Sequence, residues 1–159
     1  MISFLFENLD GNIWAMLGAA VAFFVAAIGS AKGVGIAGEA AAGVLTEDPG
    51  KFVPVMILQA LASTQAIYGF VIAFLIIGNI DINVAMPLQE GLFLFFAGLP
   101  IGIIGLVSGI SQGKVAASGI HLIAKRADGL GRAITLALMV EMFAILAFII
   151  SFLMIGTIG

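Results

Sequence analysis

Glu141 is an acidic side chain inside a long apolar stretch, with no other charged residue between Arg132 and Gly159. The other eight of the nine carboxylates lie in terminal segments, in connections or near predicted helix ends. A charged group at the centre of a membrane-spanning helix costs about 2.5 to 3.5 kcal/mol, and such residues mark ion pathways or proton relays. We therefore predict that Glu141 binds a transported ion. The structural alternative is a neutral glutamate that hydrogen-bonds to a neighbouring backbone.

Three further polar side chains lie at the depth of Glu141 when residues are counted from the charged connections. Thr64 and Gln65 are about twelve residues into the second apolar stretch, and Gln112 is about thirteen residues before Lys125. At about 1.5 Å per residue, all of these groups are about 14 to 20 Å from the connections. The sequence therefore places one carboxylate, two amides and a hydroxyl at one level.

Leu61, Thr64, Gln65 and Tyr68 are spaced three or four residues apart, so they share one face of a helix. Together with the Glu141 carboxylate, the oxygens of this face, which include a backbone carbonyl near Leu61, form an oxygen-rich set. Such a set suits a hard cation. Neutral oxygens replace the hydration shell of a metal ion, whereas a proton needs only the carboxylate, so the set favours Na⁺ over H⁺. A divalent ion would keep uncompensated charge beside a single carboxylate. The predicted metal ligands are Leu61, Thr64, Gln65, Gln112 and Glu141, with Tyr68 as a supporting hydrogen-bond donor.

The composition is typical of a membrane protein. Of the 159 residues, 62% are hydrophobic and 9% are charged, and the mean hydropathy is +1.26. A soluble domain carries about 25% charged residues, so a soluble enzyme and a disordered tail are excluded. The absence of Cys excludes a disulfide scaffold and cysteine catalysis. With six Lys and Arg against nine Asp and Glu, no basic surface for nucleic acid is expected.

Four apolar stretches predict an all-α membrane protein with four spans, since each span needs about 20 residues. The first hairpin, residues 1–80, is predicted to contain spans at about 11–45 and 52–79. The second, residues 81–159, is predicted to contain spans at about 88–124 and 131–157. The first and third connections hold Lys51, Lys125, Arg126 and Arg132, so the positive-inside rule places them in the cytoplasm and both termini outside.

The two hairpins resemble each other, which indicates a tandem duplication in one orientation. Tyr68–Ile76 (YGFVIAFLI) is similar to Leu146–Met154 (LAFIISFLM). Ser63 stands in the first hairpin where Glu141 stands in the second, and Met142 and Phe143 stand where the first has Thr64 and Gln65. Because each copy holds a different part of the polar set, we expect one ion per chain.

Glycines recur on the first and third predicted helices, at spacings that keep them near one face. They are Gly29, Gly33, Gly43, Gly105, Gly109 and Gly113. Small residues let helix backbones approach closely in lipid, so these helices are predicted to form a tightly packed inner layer. Within them, Gly33–Gly38 matches G-x-G-x-x-G without a preceding strand, and Gly109–Lys114 is one residue short of a P-loop. No nucleotide site is therefore expected on this chain.

Over essentially its whole length the chain resembles the proteolipid (c or K) subunits of V-type ATPases, in their duplicated four-helix form. The stretches that carry the resemblance are Gly29–Ala42, Leu61–Phe74, Ser108–Ile120 and Glu141–Phe152. It is closest to bacterial sodium-translocating members. In these, Na⁺ is held by a Leu carbonyl, Thr and Gln, a second Gln, and Glu, at positions that match the five predicted ligands. The Tyr that hydrogen-bonds the Glu matches Tyr68.

The resemblance implies that many copies form a rotor ring in the bilayer. The ring would turn against a membrane stator subunit that carries an essential Arg, and would be joined to central-stalk subunits on the cytoplasmic side. ATP would be hydrolysed in a separate soluble part of the complex, so the chain itself would be non-catalytic. Three alternatives remain open from the residues: a proton-carrying rotor subunit that uses Glu141, a stand-alone oligomeric channel, and a purely structural membrane scaffold.

Overall fold

The computed structural model describes residues 10–157, and every regular element in this range is a helix. The helices are α1 (Gly11–Glu47), α2 (Phe52–Leu61), α3 (Thr64–Gly78), α4 (Leu88–Lys125) and α5 (Leu130–Ile155), with short 3₁₀ turns at Pro49–Lys51 and Ala127–Gly129. In the described range, α1, α4 and residues 127–155 are each long and apolar enough to cross a membrane. The chain from Pro49 to Gly78 forms a fourth span if its two parts, bent by 41°, are counted together.

Glycines bring α1 and α4 into backbone contact along their length. A Cβ at Gly29 would lie 2.7 Å from the carbonyl oxygen of Leu106, and one at Gly109 would lie 2.7 Å from the carbonyl carbon of Gly29. One at Gly113 would overlap the backbone of Gly33. The predicted close packing of these helices is confirmed at these positions. The prediction was wrong for Gly43, which is exposed with nothing within 4 Å of a Cβ built on it.

The second predicted span is interrupted, since Ala62 and Ser63 form a turn between α2 and α3. Neither proline nor glycine lies at this break. Two hydroxyls hydrogen-bond to backbone carbonyls instead: Ser63 Oγ donates to Ala60 at 2.7 Å, and Thr64 Oγ1 is 3.0 Å from the carbonyl oxygen of Leu61. Serine and threonine that bond to the preceding turn disturb and bend helices. The break therefore lies directly beside the polar face.

Contacts at the two ends of the bundle hold the hairpins side by side. At one end, Lys51 Nζ donates to the carbonyl oxygen of Ala124 at 2.7 Å, which joins the two basic connections. At the other end, Asn12 Nδ2 donates to the carbonyl oxygen of Val84 at 2.9 Å. The hairpins therefore run in the same direction, as the duplication predicted. Large apolar side chains such as Phe74 and Phe143 are exposed on the outer surface, as in a protein that faces lipid.

Candidate ion-binding site

The Glu141 carboxylate is the centre of a buried polar cluster where α3, α4 and α5 meet. Glu141 is only 4% exposed. Its Oε1 lies 2.6 Å from the Tyr68 hydroxyl, and its Oε2 lies 2.7 Å from Thr64 Oγ1 and 2.6 Å from Gln112 Nε2. Polar groups from two helices thus contact the carboxylate of a third within an apolar bundle.

The first turns of α3 position the residues on the near side of the cluster. The helix begins at Thr64, directly after the break, and its side chains at positions 64, 65 and 68 point to the same side. Thr64 Oγ1 lies between the Glu141 carboxylate and the carbonyl oxygen of Leu61. A hydroxyl has one hydrogen and can donate it to only one of these two oxygens. The contact between Thr64 Oγ1 and the second of these oxygens becomes favourable when a proton or a cation lies between the two atoms.

The amides of Gln65 and Gln112 form the buried floor of the cluster, and both side chains are fully buried. Gln65 Nε2 donates to Gln112 Oε1 at 2.6 Å and lies 3.5 Å from Glu141 Oε2. Gln112 Nε2 also approaches the carbonyl oxygen of Ala137 at 3.3 Å. In this arrangement the amide nitrogens face the carboxylate. The carboxylate is therefore stabilised by N–H and O–H donors.

No cationic side chain neutralises Glu141 within the described range. The ion pairs found between residues 10 and 157 join Lys51 to Asp48 and Arg132 to Asp128, both near the basic connections. A buried carboxylate without an opposite charge is unfavourable, and its hydrogen bonds offset only part of the desolvation cost. The cluster is therefore suited to bind a monovalent cation or a proton.

Tyr68 lies at the outer edge of the cluster and is partly buried. Its ring packs against Phe148 with the ring centroids 5.5 Å apart, which fixes the direction of the hydroxyl. The hydroxyl then reaches Glu141 Oε1, on the opposite side of the carboxylate from the two glutamines. The structure thus brings together all six residues that the sequence predicted for the site.

Ser30 of α1 also belongs to this cluster, and sequence reasoning gave it no role. Its Oγ accepts a hydrogen bond from the backbone N–H of Ala66 at 3.0 Å and lies 3.4 Å from Gln65 Oε1. Ser30 is 3% exposed. The available signal in the sequence was a serine within a helical stretch rich in alanine and glycine. The break in the second span, which exposes the Ala66 N–H, could not be seen from the sequence.

Comparison with known proteins gives two matches to one family. The family of the ATP synthase C subunit matches residues 17–76 and again residues 95–154, once in each hairpin. These two matches confirm the tandem duplication that the internal similarity predicted.

Individual relatives are named as subunits of V-type ATPases and of an A-type ATP synthase. The chain is 48% identical over 155 residues to V-type sodium ATPase subunit K of Enterococcus hirae, with 98% of each chain covered. It is 36% identical over 146 residues to A-type ATP synthase subunit K of Methanocaldococcus jannaschii, covering 92% of this chain and 63% of the relative. It is 29% identical over 110 residues to the 16 kDa proteolipid of the human V-type proton ATPase, covering 69% and 70% of the two chains.

Proposed function

The chain belongs to the family of the ATP synthase C subunit, and from this premise we propose that it is a rotor-ring subunit of a V-type ATPase that carries one Na⁺ at Glu141. The proposed ligands are the carboxylate of Glu141, the hydroxyl of Thr64, the carbonyl of Leu61 and the side-chain oxygens of Gln65 and Gln112. Tyr68 holds the carboxylate in place. The relative from Enterococcus hirae, which is named as a sodium ATPase subunit, supports this choice of ion.

The observation that carries the proposal is a buried carboxylate surrounded by hydroxyl and amide groups, with which no cationic side chain of the described residues forms an ion pair. Glu141 is nearly inaccessible, and Thr64 Oγ1 lies within hydrogen-bond distance of two oxygens that both act as acceptors. A dehydrated monovalent cation neutralises one carboxylate completely. A divalent cation would leave a net positive charge at the same depth, which is costly in a medium of low dielectric constant.

Loading Na⁺ requires the two glutamine amides to turn. In the structure Gln112 presents Nε2 to the carboxylate, whereas a cation needs Oε1 there. A half-turn of both amides keeps the bond between Gln65 and Gln112 and reverses its direction, since each amide has a donor and an acceptor end. The carboxylate then faces carbonyl oxygens. The amides thus have one orientation that donates to the carboxylate and one that presents oxygens to a cation.

Ion binding in this form supports rotation within a ring. The neutral, loaded site can face lipid, whereas the ionised carboxylate needs a positive partner to cross the boundary. We infer that a stator subunit provides this positive charge, from an Arg side chain, where ions enter and leave. Because the cargo is exchanged and not transformed, this chain needs no catalytic group and no nucleotide, and ATP is hydrolysed elsewhere in the complex.

We infer the orientation in the membrane from the basic connections. Both lie at the same end of the bundle, where Lys51 reaches Ala124, and they contain Lys125, Arg126 and Arg132. The positive-inside rule places this end in the cytoplasm, where it would meet central-stalk subunits, and places both termini outside. We infer that the hairpins of residues 1–80 and 81–159 are the two copies of the duplicated unit.

A proton carrier is the second candidate function, and the position of Thr64 favours it specifically. A proton on Glu141 Oε2 could be donated to Thr64 Oγ1 at 2.7 Å, while Thr64 donates to Leu61. The human relative is named as part of a proton ATPase, which supports this candidate. The two candidates differ in whether Na⁺ itself occupies the site.

ATP-driven uptake of radioactive Na⁺ into inverted membrane vesicles tests the function. Vesicles that contain the complete complex with the native chain should accumulate Na⁺ when ATP is added, and an uncoupler that removes the proton gradient should not stop uptake. Vesicles with Glu141→Gln should show none. Uptake that stops with the uncoupler would support the proton carrier, and Na⁺ entry without ATP would support a stand-alone channel.

A further inference from the structure

Ser30 is in contact with both the backbone and the side chain of the turn that carries the site. One lone pair of Ser30 Oγ accepts the N–H of Ala66, and its hydrogen is directed toward Gln65 Oε1 at 3.4 Å. Ser63 precedes α3 but makes no side-chain bond to the first N–H groups of the helix. Ser30 therefore satisfies, from α1, a donor that the break between α2 and α3 leaves free.

A chain of hydrogen bonds connects Ser30 to the carboxylate. Ser30 contacts Gln65, Gln65 donates to Gln112 at 2.6 Å, and Gln112 donates to Glu141 at 2.6 Å. All four side chains are at least 96% buried, so water cannot readily replace a missing partner. The orientation of the Gln65 amide therefore depends on whether the Ser30 hydroxyl acts as a donor or an acceptor toward it.

We propose that Ser30 is a positioning residue for the ion site and acts through the amide of Gln65. When the amides turn to present their oxygens to a cation, Gln65 Nε2 comes to face Ser30. A hydroxyl can donate to an amide oxygen in one arrangement and accept from an amide nitrogen in the other. In the second arrangement its hydrogen turns to a carbonyl of its own helix, as buried serines commonly do. Ser30 thus satisfies Gln65 in both orientations of the amide.

Removal of this hydroxyl is more costly when the amides are turned toward a cation than in the orientation that the structure shows. In Ser30→Ala the Ala66 N–H loses its acceptor in both amide orientations. The cation-binding orientation also leaves a buried Gln65 N–H without an acceptor, whereas the orientation in the structure leaves an amide oxygen with fewer donors. Orphaned buried N–H groups are rarer and more costly than under-satisfied carbonyls. We expect apparent Na⁺ affinity to fall about tenfold. This inference rests on the proposed Na⁺-carrying function.

Ser108 of α4 provides a matched control. It lies 78 residues after Ser30, the same offset that separates the two family matches, and it is 4% exposed. Its Oγ has no hydrogen-bond partner among the described residues. The α5 helix is continuous at the corresponding level, so no free N–H is present there. Ser108→Ala therefore removes a buried hydroxyl that makes no hydrogen bond to the residues of the ion site.

The test measures the Na⁺ concentration that half-protects Glu141 against carbodiimide, in membranes that contain the complete complex, at constant pH. We expect a rise of about tenfold for Ser30→Ala and less than twofold for Ser108→Ala. In a Gln65→Ala background, Ser30→Ala should raise this Na⁺ concentration by less than a further twofold, because the side chain through which Ser30 acts is absent. If Ser30→Ala fails to assemble, Ser30→Cys, which keeps a weak donor and acceptor, should show a smaller rise of the same kind.

Each other result overturns a defined claim. Equal effects of Ser30→Ala and Ser108→Ala, or an unchanged Ser30→Ala effect in the Gln65→Ala background, would overturn the role of Ser30 and leave the proposed function intact. A native chain whose Glu141 is not protected by Na⁺ at any concentration would instead overturn the proposed Na⁺ site itself.

Discussion

The Tyr68 hydroxyl and the Glu141 carboxylate are joined by a 2.6 Å hydrogen bond between α3 and α5. It reaches Oε1, whereas Thr64 and Gln112 contact Oε2. The two carboxylate oxygens therefore differ in their roles. Oε1 is held by Tyr68, and Oε2 is available to the proposed ion. Rotation of the carboxylate away from the site requires this bond to break.

Tyr68→Phe removes this bond while the ring still packs against Phe148. A hydrogen bond to a charged group contributes about 1.5 to 3 kcal/mol, so we expect Na⁺ affinity to fall about tenfold or more. Na⁺ dissociation from isolated rings, followed with radioactive Na⁺, should be faster by a similar factor. Phe148→Leu, which removes the ring contact but not the hydroxyl, should have a smaller effect. Equal Na⁺ dissociation rates in native and Tyr68→Phe rings would contradict this role.

Thr64→Ala should weaken Na⁺ binding, since it removes an oxygen that contacts Glu141 Oε2 at 2.7 Å. Loss of one such contact corresponds to about a tenfold drop in affinity. The adjacent Ser63 is the control, because its hydroxyl bonds only to the backbone of Ala60 in the described structure. Isothermal titration of rings with Na⁺ should show a weaker Thr64→Ala site and a nearly native Ser63→Ala site. Failure of Thr64→Ala rings to assemble would indicate a packing role.

Glu141→Gln should abolish Na⁺ binding without preventing assembly, because the glutamine keeps the shape of the side chain and removes its charge. The exposed Glu39 is the control, and Glu39→Gln should bind as the native chain does. Equilibrium binding should give one Na⁺ per native chain, since Ser63 occupies the corresponding position in the first hairpin. Two ions per chain, or transport by Glu141→Gln at the native rate, would be incompatible with a single carboxylate site.

Gly113→Ala should destabilise the bundle, because its methyl group would overlap the backbone of Gly33 on α1. Overpacking of this kind costs about 1 to 3 kcal/mol. Gly43→Ala is the matched control, since nothing lies within 4 Å of its added carbon. Alanine there should be neutral or stabilising by up to about 1 kcal/mol from helix propensity. Thermal unfolding of detergent-solubilised rings measures both effects, and similar midpoints for the two variants would argue against close contact of α1 and α4.

The site could be predicted from sequence where depth and helix periodicity determine position. Glu141 is conspicuous because a carboxylate inside an apolar helix is costly, and Thr64, Gln65 and Tyr68 follow from spacings of three and four. Counting residues from the charged connections was enough to place Gln112 at the same level. These are properties of single helices, so no tertiary information was needed.

The break at Ala62 and Ser63 and the role of Ser30 could not be predicted in this way. The break lacks the proline or glycine that usually marks one, and it depends on hydroxyl contacts and on an acceptor from another helix. The direction of the Gln65 and Gln112 amides likewise depends on partners from several helices. The prediction for Gly43 failed for a similar reason: its spacing matched a packing face, but nothing among the described residues lies within 4 Å of a Cβ built on it.

The most direct test of the central claim is labelling of Glu141 by a carbodiimide in native rings, titrated with Na⁺ at constant pH. Carbodiimides react with a protonated carboxyl group, so an ion bound at Glu141 should block the reaction. The Na⁺ site predicts that labelling falls to background as Na⁺ rises, and that the protecting concentration increases at lower pH because protons compete for the same oxygen. Labelling that changes with pH but not with Na⁺ would contradict the Na⁺ site and leave a proton carrier in its place.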